Sequence, residues 1–113
     1  MKDTYDDRSF ERDVYDVVRA IPSGRVTSYG AIAKVLGVAR ASRRVGWVLN
    51  KSFGVEPVVP AHRVVNRLGL LTGAIHFPEN QPMAACLEAE GVKVQNERVV
   101  DFDAVFWDPM TEL

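Results

Sequence analysis

The chain has a single cysteine, Cys86, and two histidines, His62 and His76. One cysteine excludes an internal disulfide framework and suits a reducing cytosol. These three residues are too widely separated for the spacing of a zinc site, and no cofactor or metal is expected. No apolar run approaches the roughly 20 residues that span a bilayer. The start, Met1-Lys2-Asp3-Thr4-Tyr5-Asp6-Asp7, is polar and acidic, which is wrong for a secretory signal. A cytoplasmic protein without a membrane partner is the expectation. Repeats, low-complexity tracts and long linkers are missing as well. What remains is 113 residues, 47% of them hydrophobic, which fits one small domain over 1–113 around one core.

The net charge of −1 hides an uneven distribution. Residues 1–18 carry net −3 and residues 68–113 net −6. Between them, Arg19, Arg25, Lys34, Arg40, Arg43, Arg44, Lys51, Arg63 and Arg67 face one acid, Glu56, for a net +8. A positive middle between acidic ends is the charge footprint of a nucleic-acid binder, or else a solvated surface with accidental clustering.

The periodicity predicts a helix over 9–20, with Ser9 as N-cap and Phe10, Val14, Val17 and Val18 on one face. Pro22-Ser23-Gly24 ends it as a turn, and Arg25-Val26-Thr27 is extended. Thr27 or Ser28 caps a short helix with Ile32, Val35 and Leu36 turned inward, stopped at Gly37. A second helix from about Arg40 to Asn50 follows. Two short helices around a glycine turn suggest a helix-turn-helix, and Arg40, Arg43 and Arg44 crowd the start of the second. A loop over 51–60 precedes a hairpin over 63–72 that turns through Asn66-Arg67-Leu68-Gly69 and would serve as a wing. A helix from about Glu79 to Glu90 stops at Gly91. A second hairpin turns around Gln95-Asn96-Glu97, and Phe102, Val105, Phe106 and Trp107 mark a terminal turn packed on the core. The fold class is therefore mainly α with small β hairpins, a winged helix-turn-helix-like DNA-binding domain.

Four segments lie in one register: Ile21-Pro22-Ser23-Gly24-Arg25-Val26-Thr27-Ser28-Tyr29-Gly30, Ser42-Arg43-Arg44-Val45-Gly46-Trp47, Val59-Pro60-Ala61-His62-Arg63-Val64-Val65-Asn66, and Leu87-Glu88-Ala89-Glu90-Gly91. Together they resemble the DNA-binding domain of the O6-alkylguanine-DNA alkyltransferases, over about 10–94, which leaves 95–113 as an extension. The family's active-site segment reads P-C-H-R-V. Here Ala61 stands where the cysteine belongs, and a methyl group can neither ionise nor accept an alkyl group. This is similar to the alkyltransferase-like branch, which binds alkylated guanine without repairing it.

The resemblance implies a mechanism and assigns residues to it. The partner is double-stranded DNA containing O6-alkylguanine, gripped from the minor groove and read by flipping the base. Arg43 matches the arginine that fills the vacated place in the stack. Tyr29 matches the tyrosine that crowds the 3′ phosphate. Arg40, Arg44 and Ser42 are further candidates for DNA contact, with a solvated face as the alternative for the arginines. Pro60, Ala61, His62, Val64 and Trp47 are the candidate lesion pocket. His62 and Glu90 match a relay that ionises the cysteine in active members, and here His62 is expected to be a hydrogen-bonded partner of Glu90 that holds the loop. Two departures stand out. The family's pocket tyrosine has no clear equivalent in Thr72-Gly73-Ala74-Ile75-His76-Phe77-Pro78, and its hinge asparagine is Asn50 or absent.

The expected function is lesion recognition without alkyl transfer, by a monomer that flags the site for nucleotide-excision repair proteins. An active methyltransferase is the alternative, through Cys86 as acceptor or because Ala61 replaces a cysteine by engineering. Cys86 shares a helix face with Glu90, but its neighbours offer nothing to depress its pKa, so a buried inert thiol is the default. A winged-helix regulator that kept its DNA grip is the third reading.

Overall fold

A computed structural model describes residues 5–113, so Met1–Thr4 of the acidic start lie outside the described residues. Helix α1 spans Asp7–Ala20 and buries Phe10, Val14, Tyr15, Val17 and Val18. Its N-cap is Asp6, not Ser9: the Asp6 carboxylate accepts the Ser9 backbone N–H at 2.8 Å. An acid at this end satisfies an orphan donor and also opposes the positive end of the helix dipole.

The chain then makes a two-residue strand β1, Thr27–Ser28, and enters helix α2, Tyr29–Val35. The Ser28 hydroxyl caps α2 by accepting from the Ala31 N–H at 3.1 Å. Gly37 has φ +81°, a left-handed stop that only glycine adopts freely, and the Val38 N–H closes the turn on the Ala33 carbonyl at 2.9 Å. Helix α3 spans Ser42–Asn50 and turns Val45, Val48 and Leu49 inward. It begins two residues later than its sequence suggests. Arg40 belongs to the preceding turn, which the Ala41 N–H closes on the Val38 carbonyl at 2.8 Å. Helices α2 and α3 form the helix-turn-helix, and α1 packs behind them.

A short 3-10 turn, Ala61–Arg63, leads into β2, Val64–Val65. Strand β2 pairs in parallel with β1, Thr27 against Val64 and Ser28 against Val65. Successive strand residues face opposite ways. Val64 therefore enters one core with Phe10, Val14, Ile32, Val45 and Trp107, while Val65 enters a second with Val26, Met83, Leu87, Val92 and Val99. Each fully buried valine or leucine stabilises the fold by about 1.5–3 kcal/mol.

The expected hairpin over 63–72 does not form. Its turn does: the Asn66 side-chain oxygen accepts from the Leu68 and Leu70 N–H groups, each at 2.9 Å. The two arms separate, one pairing with β1 and the other, at Leu70, bridging to Arg98. Helix α4 spans Met83–Ala89, shorter than the expected 79–90. Pro82 stands at its N-cap and keeps Gln81 out of helical geometry, which delays the start. The second hairpin is as expected: β3, Val94–Gln95, and β4, Arg98–Val99, join through Asn96 and Glu97, both at positive φ. Short helices α5, Phe102–Val105, and α6, Pro109–Glu112, end the chain, with Trp107 buried in the first core. Among the described residues no helix is long and apolar enough to cross a membrane.

Candidate nucleic-acid interface

One face of the helix-turn-helix is an open groove of about 700 Å³, lined by residues of α2, α3 and the 66–76 segment. Tyr29, Ser42, Arg43, Gly46, Trp47 and Asn50 supply the helical side, and Asn66, Thr72, Gly73 and His76 the other. No carboxylate lines it. Tyr29 heads α2 and lies half-buried across the groove floor. Burial pushes its phenol pKa up, against the effect of a hydrogen bond with Thr72. Gly73 makes room for the ring: a Cβ there would lie only 2.9 Å from the hydroxyl oxygen, whereas one at Gly46 would meet the ring edge at an ordinary 3.7 Å.

The basic middle divides into two groups. Arg19, Arg25, Arg44, Lys51 and Arg63 turn back onto the protein. Lys34, Arg40, Arg43 and Arg67 are exposed and make no hydrogen bond or ion pair among the described residues. Arg43 is therefore a free cation on the groove rim, as its position in the sequence suggests. Arg40 is free but outside the groove lining. Arg44 corrects the expectation of a DNA contact. Its guanidinium donates to Asp7 Oδ1 at 2.8 Å and to the Tyr5 carbonyl at 3.2 Å, and it lies over the Phe10 ring. It ties α3 to α1 outside the groove lining.

Ala61 lies behind this face, at a cavity of about 390 Å³. Of the five residues that the resemblance assigns to a lesion pocket, Pro60, Ala61 and His62 form part of the cavity's wall. Val64 and Trp47 do not. Val64 is 1% exposed and belongs to the first core, and Trp47 is 63% exposed on the groove. The sequence reading missed the other wall, made by Phe53, Val55, Val58, Val59 and Phe77. Phe53 and Phe77 meet edge to face with ring centroids 4.8 Å apart. The signal was present: a loop over 51–60 with this many apolar residues must cover something. Asn50 is exposed at the end of α3, and the buried polar residue that follows it is Ser52, whose hydroxyl donates to the Leu49 carbonyl at 2.7 Å.

His62 Nε2 lies 2.9 Å from Glu90 Oε2. Arg63 also donates to Glu90, through Nε at 3.0 Å and a terminal nitrogen at 2.6 Å, while its other nitrogen reaches the Ile21 carbonyl at 2.8 Å. Burial works to raise the Glu90 pKa, but the hydrogen bonds from Arg63 and His62 outweigh it and hold the carboxyl at about 2. This cluster fixes the Ala61–Arg63 turn against the end of α1, at the Ile21 carbonyl, and the end of α4. Cys86 lines the same cavity as Ala61. Its thiol is pushed upward in pKa by burial and by the Glu90 charge, so the thiolate that alkyl transfer needs is disfavoured.

A groove walled by the second helix of a helix-turn-helix, with a free arginine and no acid, defines a helix-turn-helix-like DNA-binding domain. The sequence profile of the family "6-O-methylguanine DNA methyltransferase, DNA binding domain" matches residues 9–92, and the chain belongs to this family. It is 43% identical over 100 residues to the DNA base-flipping protein of Escherichia coli, covering 88% of this chain and 75% of that one. It is 34% identical over 104 residues to alkyltransferase-like protein 1 of Schizosaccharomyces pombe, covering 88% of this chain and 95% of that one. The crystal structure of that yeast protein with damaged DNA containing O6-carboxymethylguanine superimposes with a TM-score of 0.78, covering 95% and 98% of the two chains at 31% identity. The methylated-DNA–protein-cysteine methyltransferase of Salmonella typhimurium is 47% identical, but over 64 residues that make up 57% of this chain and 37% of that one.

Proposed function

We propose that this protein recognises O6-alkylguanine in duplex DNA by minor-groove docking of α3 and base flipping, and transfers no alkyl group. The observation that carries this reading is the division of labour among the residues at the site. Arg43 is exposed and unpaired at the rim of an acid-free groove, beside Tyr29. Ala61, at the position of the family's nucleophile, lines the cavity with no group able to accept an alkyl carbon. Grip and base extrusion need a free cation and a shaped groove, whereas transfer needs a thiolate. The relatives support the same reading, since one is named for base flipping and another is solved on damaged DNA.

In this scheme Arg43 takes the place of the extruded base and Tyr29 crowds the adjoining phosphate. His62 and Glu90 keep the cavity wall in position instead of activating a nucleophile. A lesion held and not repaired must be passed on, and nucleotide-excision repair is the recipient we assign. The test is titration of duplexes with and without one O6-methylguanine, with mass spectrometry of the protein afterwards. Tighter binding of the lesion duplex with unchanged protein mass supports the reading. Equal affinity for both duplexes sinks the recognition half, and a gain of one methyl mass sinks the non-catalytic half.

A further inference from the structure

Helix α3 carries an outward tryptophan that the scheme above does not use. Arg43, Trp47 and Asn50 follow one another at i, i+4 and i+7, so they share one face, and all three line the groove. Trp47 is 63% exposed, the largest exposed side chain of the helix. A helix of a soluble domain has no need of an indole on its solvent face, where any polar residue would serve. Trp47 also walls a second hollow with Asp7, Phe10, Arg44 and Lys51, so it stands as a ridge between two concavities.

We infer that Trp47 is a second DNA-contacting residue, whose indole lies on the sugars and base edges of the nucleotides flanking the position that Arg43 fills. The inference rests on the DNA-binding reading above and adds a residue to it. Four residues along a helix correspond to a rise of about 6 Å. That is nearly two steps of about 3.4 Å along one strand. With α3 lying along the groove, an indole one turn beyond Arg43 meets the neighbouring nucleotides and not the vacated site. The surroundings favour a polyanion: α3 contains no acid, and the groove lining has none. An indole offers an apolar face to deoxyribose and a flat one to a base, and such contacts tolerate any sequence.

The two tryptophans make this measurable. Trp107 is 3% exposed and Trp47 63%, so in a Trp107→Phe variant the emission reports Trp47 alone. Addition of an O6-methylguanine duplex should quench and blue-shift that emission at the stoichiometry of binding. Trp47→Ala should weaken lesion binding by about 5- to 100-fold. It should leave the slope of log affinity against log salt unchanged, because no phosphate contact is lost. Trp47→Phe should recover most of the affinity. Should Trp107→Phe unfold, the quench is read in the wild type, where the exposed Trp47 dominates any change. Unchanged emission on saturation, or wild-type affinity in Trp47→Ala, overturns the inference while leaving lesion recognition intact. Emission that depends on protein concentration without DNA identifies a second copy as the occupant and also overturns it. Failure of the wild type to prefer lesion duplex defeats the recognition reading itself.

Discussion

The guanidinium of Arg44 lies 4.1 Å from the centre of the Phe10 ring, while its neighbour Arg43 makes no hydrogen bond, ion pair or ring contact among the described residues. Two adjacent arginines on one helix thus have opposite duties. Arg44→Ala removes a cation–π contact and hydrogen bonds to Asp7 and Tyr5, and should lower stability by about 1–2 kcal/mol. Its lesion affinity should stay within about threefold of wild type. Arg43→Ala should leave stability within about 0.5 kcal/mol, and weaken lesion binding at least about tenfold. Denaturant melts paired with duplex titration check both.

Glu90 gives a pH signature. Its folded pKa of about 2 lies below the ordinary 4.5, so its contribution to stability is complete above about 4.5. As pH falls, the carboxylate is protonated and the contribution is lost between about 4.5 and about 2. Glu90→Gln should be less stable than wild type by about 2–3 kcal/mol at pH 7. The two proteins should converge near pH 2. A constant difference across that range, measured by thermal melts, would contradict this assignment.

Thr27 presents the reverse case. Its hydroxyl is fully buried, with no hydrogen-bond partner among the described residues. Valine has nearly the same shape and no polar atom to desolvate. Thr27→Val should therefore raise stability by about 1 kcal/mol. A loss of stability in urea melts would mean that the hydroxyl has a partner after all.

Gly73 has an ordinary negative φ of −88°, so alanine is acceptable to the backbone there. The obstacle is the Tyr29 hydroxyl, 2.9 Å from the new Cβ. Gly73→Ala should displace that ring and weaken lesion binding by about tenfold. Combined with Tyr29→Phe, it should cost less than the sum of the two changes, a coupling that a double-mutant cycle measures.

Much of this was legible because it is local. Gly37 as a stop, Tyr29 at the head of α2 and a cap at Thr27 or Ser28, of which the structure chooses Ser28, follow from neighbours a few residues away. So does the turn at Asn96 and Glu97. The features that differ from expectation depend on distant partners. Val64 and Val65 look like a hairpin arm, but they pair with Thr27 and Ser28, nearly forty residues earlier. Arg44 looks like a DNA contact until α1 supplies Asp7 and Phe10. The basic middle carries real information, yet it overstates the interface, because Arg19, Arg25, Lys51 and Arg63 are engaged by other groups of the protein. The resemblance puts Trp47 in the pocket wall, and only the direction of α3 puts it outside.

The strand that follows Ala61 has a consequence for how the cavity can adapt. Val64 and Val65 are anchored in separate cores, and Glu90 clamps the turn just before them. That side of the cavity behaves as an anvil, unable to rise or roll without opening both cores together. The opposite side is a loop, Ser52 to Val59, buried at both ends and tied at the Pro57 carbonyl by Arg19, with Phe53 and Val58 exposed between those anchors. Adducts of different bulk would therefore press on the exposed side chains between the loop's anchors, working against a fixed jaw on the other side.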